Sequence, residues 1–529
     1  MQRPTIAITL QPERDTAGAV AAVNLTYVIS DITPSSPISE LRAPIVVSNL
    51  IGIADRIESL RITDQVGEVR LTVADDPPDE TATGYYRHWK LARPLALPAT
   101  VRYRAVVAAR RFRVGPPMDL RTYANGVSGR GAGFVAIPDD RRRYRIKLRW
   151  DLSQLAPGSV GISSLADGDA DTVGTLSLVS TTFFMAGPLH QFNAGAYRAY
   201  WLGEAPSLNL REDMPWAASA YASLSRFFGH TIARPYRFFL RVLPESTTSG
   251  GNAGDRSFMI QVPLIPISRP RNEALDLRGL IAHEMIHSWS GGPDGGQWST
   301  EGLTSYFTAE ALLRTGLRPV EEFVRDINRM SREYYPNPYR NVPGTAASAV
   351  FWADRNGEVL PYHRGALYFF DLNDKLKKAS GGKHTLDAVM FAFNARRTRG
   401  ENVNVDTWRK TLRKELGASA VADFDSIIVQ GTKTIVLASD AFGPCFQRRT
   451  EQLVRPDFAI DRRMPDARTI IGVVPGSAAA VAGLRDGDVV MTPFTSDVPT
   501  SADTRELQLD IVRAGQPLHI EYITMTVLV

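Results

Sequence analysis

The stretch "LIAHEMIHSWSGGPDGGQWSTEGLTSYF", residues 280–307, constrains the fold of this chain more than any other. It sets His283 and His287 four residues apart in a sequence with 8 histidines among 529 residues. On an α-helix, residues at this spacing lie on one face about one turn from each other, whereas on a strand they would be two pleats apart. The neighbours favour the helix. Leu277, Ile281, Met285 and Trp289 recur at the same spacing and form an apolar stripe, and Gly291, Gly292 and Pro293 stop it. The segment "NEALDLRGLIAHEMIHSW" is therefore expected to be one helix over 272–289.

Two imidazoles on one helix face can bind a single zinc ion. Glu284, beside them, is placed to take a proton from a water that the metal activates. A purely structural helix does not call for Glu284, because a carboxylate among buried groups is costly without a partner. A catalytic zinc site needs a third protein ligand and keeps its fourth position open. The segment "QWSTEGLTSYFTAEALLRTG" offers two candidates. Ser299 is read as the N-cap of a helix reaching about Thr315, with Gly316 just past its end. Glu301 then falls in the first turn, where the helix dipole favours a carboxylate. Glu310, more than two turns further on, is the competing candidate. One Zn²⁺ per chain is the expected cofactor.

HExxH followed by W-x-x-E-G-x-T-x-Y resembles the gluzincin clan of zinc metallopeptidases, and is most similar to peptidase family M61, the glycyl-aminopeptidase-like enzymes. The resemblance runs over nearly the whole chain. It implies a β-rich N-terminal domain, a thermolysin-like catalytic domain and a C-terminal PDZ domain. It also implies His283, His287 and Glu301 as zinc ligands and Glu284 as general base. Downstream, "LPYHRGALYFFDLNDKL" is similar to the P-Y-x-K-G-like segment whose tyrosine donates to the tetrahedral oxyanion. The match falls on Tyr362, with Arg364 where Lys is usual and Gly365 in place. Without that match, a tyrosine just before a helix is a packing residue. His363 is read as a local hydrogen-bonding residue or a substrate contact.

One departure bears on specificity. The aminopeptidase relatives carry a Glu for the substrate's α-amine in a Gly-rich strand upstream of HExxH. The corresponding stretch here is "SGGNAGDRSF", 249–258. Gly250 and Gly251 match, no Glu is present, and Asp255 is the only acid. Gly250, Gly251 and Asp255 are the substrate-binding candidates. The resemblance implies an aminopeptidase favouring N-terminal Gly or Ala. An endopeptidase of the same clan is an alternative, and so is a PDZ peptide-binding scaffold with an idle peptidase domain.

A chain of 529 residues exceeds what one hydrophobic core supports. The fold class is read as multidomain α+β: a β-rich domain over 1–205, a mainly helical catalytic domain over 206–435 and a PDZ-like β domain over 436–529. "EDMPWAASAYASLSRFFG" reads as a helix stopping at Gly229, and "PYRFFLRVL" as a strand. The run "RRRYRIKLRW" (141–150) has the charge of a phosphate-binding patch. At period two, however, Tyr144, Ile146, Leu148 and Trp150 share one face and the basic residues the other, as in a half-buried strand. A net charge of +5 calls for no nucleic-acid partner. Cys445 is the one cysteine, so no internal disulfide forms.

The N-terminus has no signal-peptide pattern, and no run reaches the roughly 18 apolar residues of a membrane span. A soluble chain is expected, with its compartment open. "TIIGVVPGSAAAVAGLRDGDVV" (469–490) resembles the core of bacterial PDZ domains. Gly476, Gly483 and Gly487 suit tight turns, and Ala478–Ala482 suits a short helix. Such a domain binds an extended peptide or C-terminus along a strand edge. The groove would lie near "FAIDRRM" (458–464), with Arg462 or Arg463 facing a terminal carboxylate.

Overall fold

Residues Arg143–Trp150 form a strand with Tyr144, Ile146 and Leu148 buried and Arg143, Arg145 and Arg149 exposed. The basic face is met by acid from the adjoining chain: Arg145 pairs with Asp171 at 2.8 Å and Arg149 with Asp169 at 3.4 Å. It is a solvated, charge-matched sheet face. The strand sits in a seven-stranded sheet beside Thr5–Arg14, with which it runs parallel. The long antiparallel pair Thr5–Arg14 and Val20–Ser30 supplies Ile6, Ile8, Leu10, Tyr27 and Ile29 to the core.

The computed structural model describes residues 3–31, 37–78, 84–109, 115–230, 235–244, 249–264, 276–454, 457–461, 468–491, 506–524 and 526–528. The chain is a multidomain α+β protein with a β-rich N-terminal part and a helical part. It divides into two compact units: Met1–Ala222 with Thr231–Ser288, and Ser223–His230 with Trp289–Val529. No helix among the described residues is long and apolar enough to cross a membrane.

In the first unit, a four-stranded sheet holds strand β1 (Gly126–Arg130) between Phe183–Gly187 and Arg121–Tyr123. A five-stranded sheet follows. Its parallel centre is Tyr197–Leu202, β2 (Tyr236–Leu243) and β4 (Ser257–Pro263). β3 (Gly250–Gly254) pairs antiparallel with β4 and forms one edge. The parallel step from Tyr197–Leu202 to β2 needs a crossover. The helix Leu210–Phe227 supplies it and stops at Gly229, whose φ of +68° favours glycine. Every residue of β2 and β4 is buried, as expected of strands covered on both faces. A buried polar network ties this sheet to the β-rich part: Arg241 donates to the Asp119 carbonyl at 2.7 Å and to Gln261 Oε1 at 2.6 Å.

Helix α1 (Leu277–Ile286) closes the first unit. Asp276 caps it by accepting from the Gly279 N–H at 2.8 Å. Of the helix expected over 272–289, residues 272–275 lie outside the described residues, and the helix ends earlier than expected, with His287 as C-cap.

The second unit is helical from α2 (Gln297–Arg314) through α3 (Arg355–Ser380) to Phe424. Its C-terminal part has a separate small core of Phe458, Ile460, Ile470, Leu484, Val490, Leu509 and Ile511. A three-stranded sheet of Val489–Val490, Glu506–Arg513 and Gln516–Ile523 packs there with the short helix Ala478–Val481, capped by Ser477. Gly476, Gly483 and Gly487 all have positive φ, as the turns require. Arg462 and Arg463 lie outside the described residues.

Candidate metal centre and catalytic site

The last turn of α1 carries the two histidines. Their rings stand edge to face at 86°, centroids 4.7 Å apart, and their Nε2 atoms are 3.1 Å apart. Two nitrogens bound tetrahedrally at the usual zinc distance would be about 3.3 Å apart, so the pair is already near the required spacing. The apolar stripe fixes the helix: Leu277, Ile281 and Met285 are buried. Among the described residues one group of metal-binding side chains is found. It comprises His283, His287 and Glu301, with one ligand atom from each, all within 4.8 Å of one another. Two imidazoles and a carboxylate fit Zn²⁺ by donor type and spacing. Glu310 is not in this group. It sits near Arg314, Asp387 and Lys377, and burial raises its pKa above the usual carboxylate value.

Ser299 is not the cap expected of it. α2 begins three residues earlier, with Gly296 at its N-cap, and the Ser299 side chain is buried inside the helix packing. Glu301 therefore lies one turn deeper than the sequence suggested. Gly296 takes φ +92°, a conformation that Ser, Thr or Asp would adopt only with strain, and this lets the chain turn sharply into the helix. The link before it is pinned: Asn394 donates to the Trp289 carbonyl at 2.7 Å, and Arg397 to the Gly292 carbonyl at 2.6 Å.

Glu284 is buried and faces the edge strand. A Cβ on Gly251 would lie 2.3 Å from Glu284 Oε1, so the absence of a side chain there makes room for the carboxylate. Gly250 precedes it on β3. Asp255 is exposed at the hairpin tip four residues beyond Gly251, with Arg256 at 3.6 Å. Tyr236 packs behind the site, its hydroxyl 3.0 Å from Ser288 Oγ, and burial raises its pKa strongly.

Sequence reasoning missed Arg130. It ends β1 and reaches Asn252 of β3, donating from Nη1 to Oδ1, while Nε donates to the Thr181 carbonyl at 3.3 Å. Its guanidinium lies over the Phe183 ring, 5.2 Å from the centroid. Burial pushes its pKa down to about 10, and the Glu284 carboxylate opposes that shift. The one local signal was an arginine set among small residues in "SGRGAG".

Tyr362 lies inside α3, not before it. The helix starts at Arg355, with Asp354 capping it, and runs through Pro361. The Tyr362 ring is half-buried and stacks on Phe351, centroids 6.3 Å apart at 10°. His363 is buried 3.6 Å from Glu333, and burial lowers its pKa to about 4, so it is a neutral packed imidazole. Arg364 is also buried, donating to the Val342 carbonyl at 2.8 Å.

No family model matches the sequence, and no curated protein matches it. Solved structures do. An aminopeptidase N family protein from Idiomarina loihiensis superposes with a TM-score of 0.70 at 16% identity, over 99% of this chain and 98% of that one. An M1 zinc metallopeptidase from Deinococcus radiodurans gives a TM-score of 0.47 at 14% identity, over 82% and 94%. The first likeness shows the fold alone.

Proposed function

We propose that this protein is a zinc-dependent peptidase, related to peptidase family M61, that hydrolyses peptide bonds. The observation that carries the reading is the convergence of His283, His287 and Glu301 within 4.8 Å, next in sequence to the buried carboxylate of Glu284. His283, His287 and Glu301 would hold zinc, which would supply Lewis-acid polarisation of a carbonyl and a water that loses its proton near neutral pH. Glu284 takes the proton from the attacking water and gives it to the leaving amine. Tyr362 donates its O–H to the oxyanion. The backbone of Gly250 and Gly251, on a sheet edge, pairs with an extended peptide.

The aminopeptidase form of this reading, with N-terminal Gly or Ala preferred, needs an acceptor for the α-ammonium. Asp255 is the candidate acid. A second form, cleavage within a chain, is favoured by Arg130: a cation beside the edge strand opposes a free ammonium and accommodates a carbonyl or carboxylate. We read 1–205, 206–435 and 436–529 as three domains, the last a PDZ domain for an extended peptide or C-terminus.

The test is metal content with turnover. Zinc-loaded wild type should hydrolyse peptides and hold one zinc per chain. His283→Ala, His287→Ala and Glu301→Ala should lose zinc affinity, while Glu284→Gln should keep zinc and lose turnover. A zinc-saturated wild type that cleaves no peptide, free or N-acetylated, would remove the reading in favour of a peptide-binding scaffold.

A further inference from the structure

Among the described residues, three buried arginines of the first unit come with carboxylates. Arg121 and Arg241 pair with Asp119, and Arg237 pairs with Asp167. Leaving a cation away from water without an anion is costly, which accounts for these pairs. Arg130 is placed differently. It is half-buried, and among the described residues its hydrogen-bond partners are neutral: the Asn252 amide oxygen and the Thr181 carbonyl. A guanidinium has five N–H donors in a planar fork. These two bonds use one on Nε and one on Nη1, which leaves one on Nη1 and both on Nη2. That arrangement suits a carboxylate.

The position is as telling as the chemistry. Asn252 follows Gly251, whose missing Cβ makes room for Glu284. The cation is therefore held one residue along the edge strand from the carboxylate that serves as general base. It comes from β1, 122 residues away in sequence, and the Asn252 contact fixes it against β3. The Phe183 face behind it holds the guanidinium plane.

We propose that Arg130 is a specificity-determining residue: its outer fork binds a carboxylate carried by the peptide that pairs with β3, so that acidic peptides are preferred and a free α-ammonium near it is disfavoured. Asn252 acts as a positioning residue, orienting the fork. The inference rests on the peptidase reading for the place where the peptide lies, and its test separates the two.

The experiment uses zinc-loaded wild type and a set of N-acetylated Gly/Ala hexapeptides, each with one Glu at a different position, and their Gln counterparts. The readout is KM where a peptide is cleaved and Kd by calorimetry where it is not. At one or two adjacent positions Glu should be favoured over Gln by about ten- to a hundredfold, the usual size for charge-assisted hydrogen bonds. Arg130→Gln should abolish that preference, and Arg130→Lys should retain part of it. Equal handling of Glu and Gln at every position by the wild type, which requires no variant to fold, would overturn the proposal. So would a Glu preference that survives in Arg130→Gln, or an Arg130→Gln variant that loses kcat equally on all peptides. Selective binding without cleavage of any peptide would leave Arg130 as assigned and remove the peptidase reading. Cleavage without selectivity would do the reverse.

Discussion

Gly302 of α2 and Gly365 of α3 meet with their backbones in contact. A Cβ on Gly302 would lie 2.5 Å from the Gly365 Cα, and one on Gly365 would lie 2.4 Å from the Trp298 carbonyl oxygen. Two helices approach this closely only where neither carries a side chain. Glu301 directly precedes one glycine, and Tyr362 stands three residues, about one turn, before the other. The crossing thus sets the spacing of the helices that carry the proposed third zinc ligand and the proposed oxyanion donor.

Gly302→Ala should therefore be a stability mutation. The atoms it meets are backbone, which cannot swing aside, so the helices must separate. Overpacking of this kind costs about 1–3 kcal/mol. Urea unfolding should show a lower midpoint for Gly302→Ala and for Gly365→Ala, and reduced zinc affinity should follow. Unchanged midpoints in both variants would mean that the crossing is looser than the structure has it.

Gly251→Ala should behave differently. The new methyl meets the end of the Glu284 side chain rather than backbone, and a flexible carboxylate can move. Stability should change little, but the base is displaced, and a shift of about 1 Å can lower a rate by about 10²-fold. We expect kcat reduced by that order with zinc content unchanged. A Gly251→Ala enzyme with wild-type kcat would show that Glu284 does not need its present position.

Tyr362→Phe removes one hydroxyl and keeps the ring that stacks on Phe351. If the hydroxyl serves the oxyanion, kcat should fall by roughly 10²–10³ with folding and zinc binding intact. Near-wild-type turnover would make Tyr362 a packing residue.

How much of this was legible beforehand depended on how local the signal was. The HExxH helix was readable because its own period sets two imidazoles on one face. The strand at 143–150 was readable for the same reason at period two. The start of α2 was not: Ser299 has good capping chemistry, but Gly296 makes a sharper turn through its positive φ, and packing takes Ser299 into the helix. Tyr362 was placed before the helix, although a proline inside a helical pattern need only kink it. Asp354, which accepts from the Gly357 N–H at 2.9 Å, starts the helix earlier, and the missing Pro361 N–H deprives only one carbonyl. Arg130 and Asn252 meet only through tertiary structure, and neither stands out in its own segment.

His363 gives a prediction about acid stability that is independent of the metal site. It is buried on α3, and the charged groups that act on it are Glu333, Arg329 and Arg355. Burial outweighs the attraction of Glu333 and takes the imidazole from its ordinary 6.5 down to about 4. The unfolded chain therefore binds a proton between those values that the folded chain does not. Stability from this group is complete above pH 6.5 and is lost as pH falls towards about 4. Within that window the loss approaches about 1.4 kcal/mol per pH unit. His363→Gln has nothing to protonate, so it should lack this component. Urea unfolding of both metal-free proteins near pH 7, 6 and 5 should show the wild type losing ground to the variant at each step down. A wild-type-minus-variant difference that stays constant with pH would mean that His363 accepts its proton freely in the folded chain.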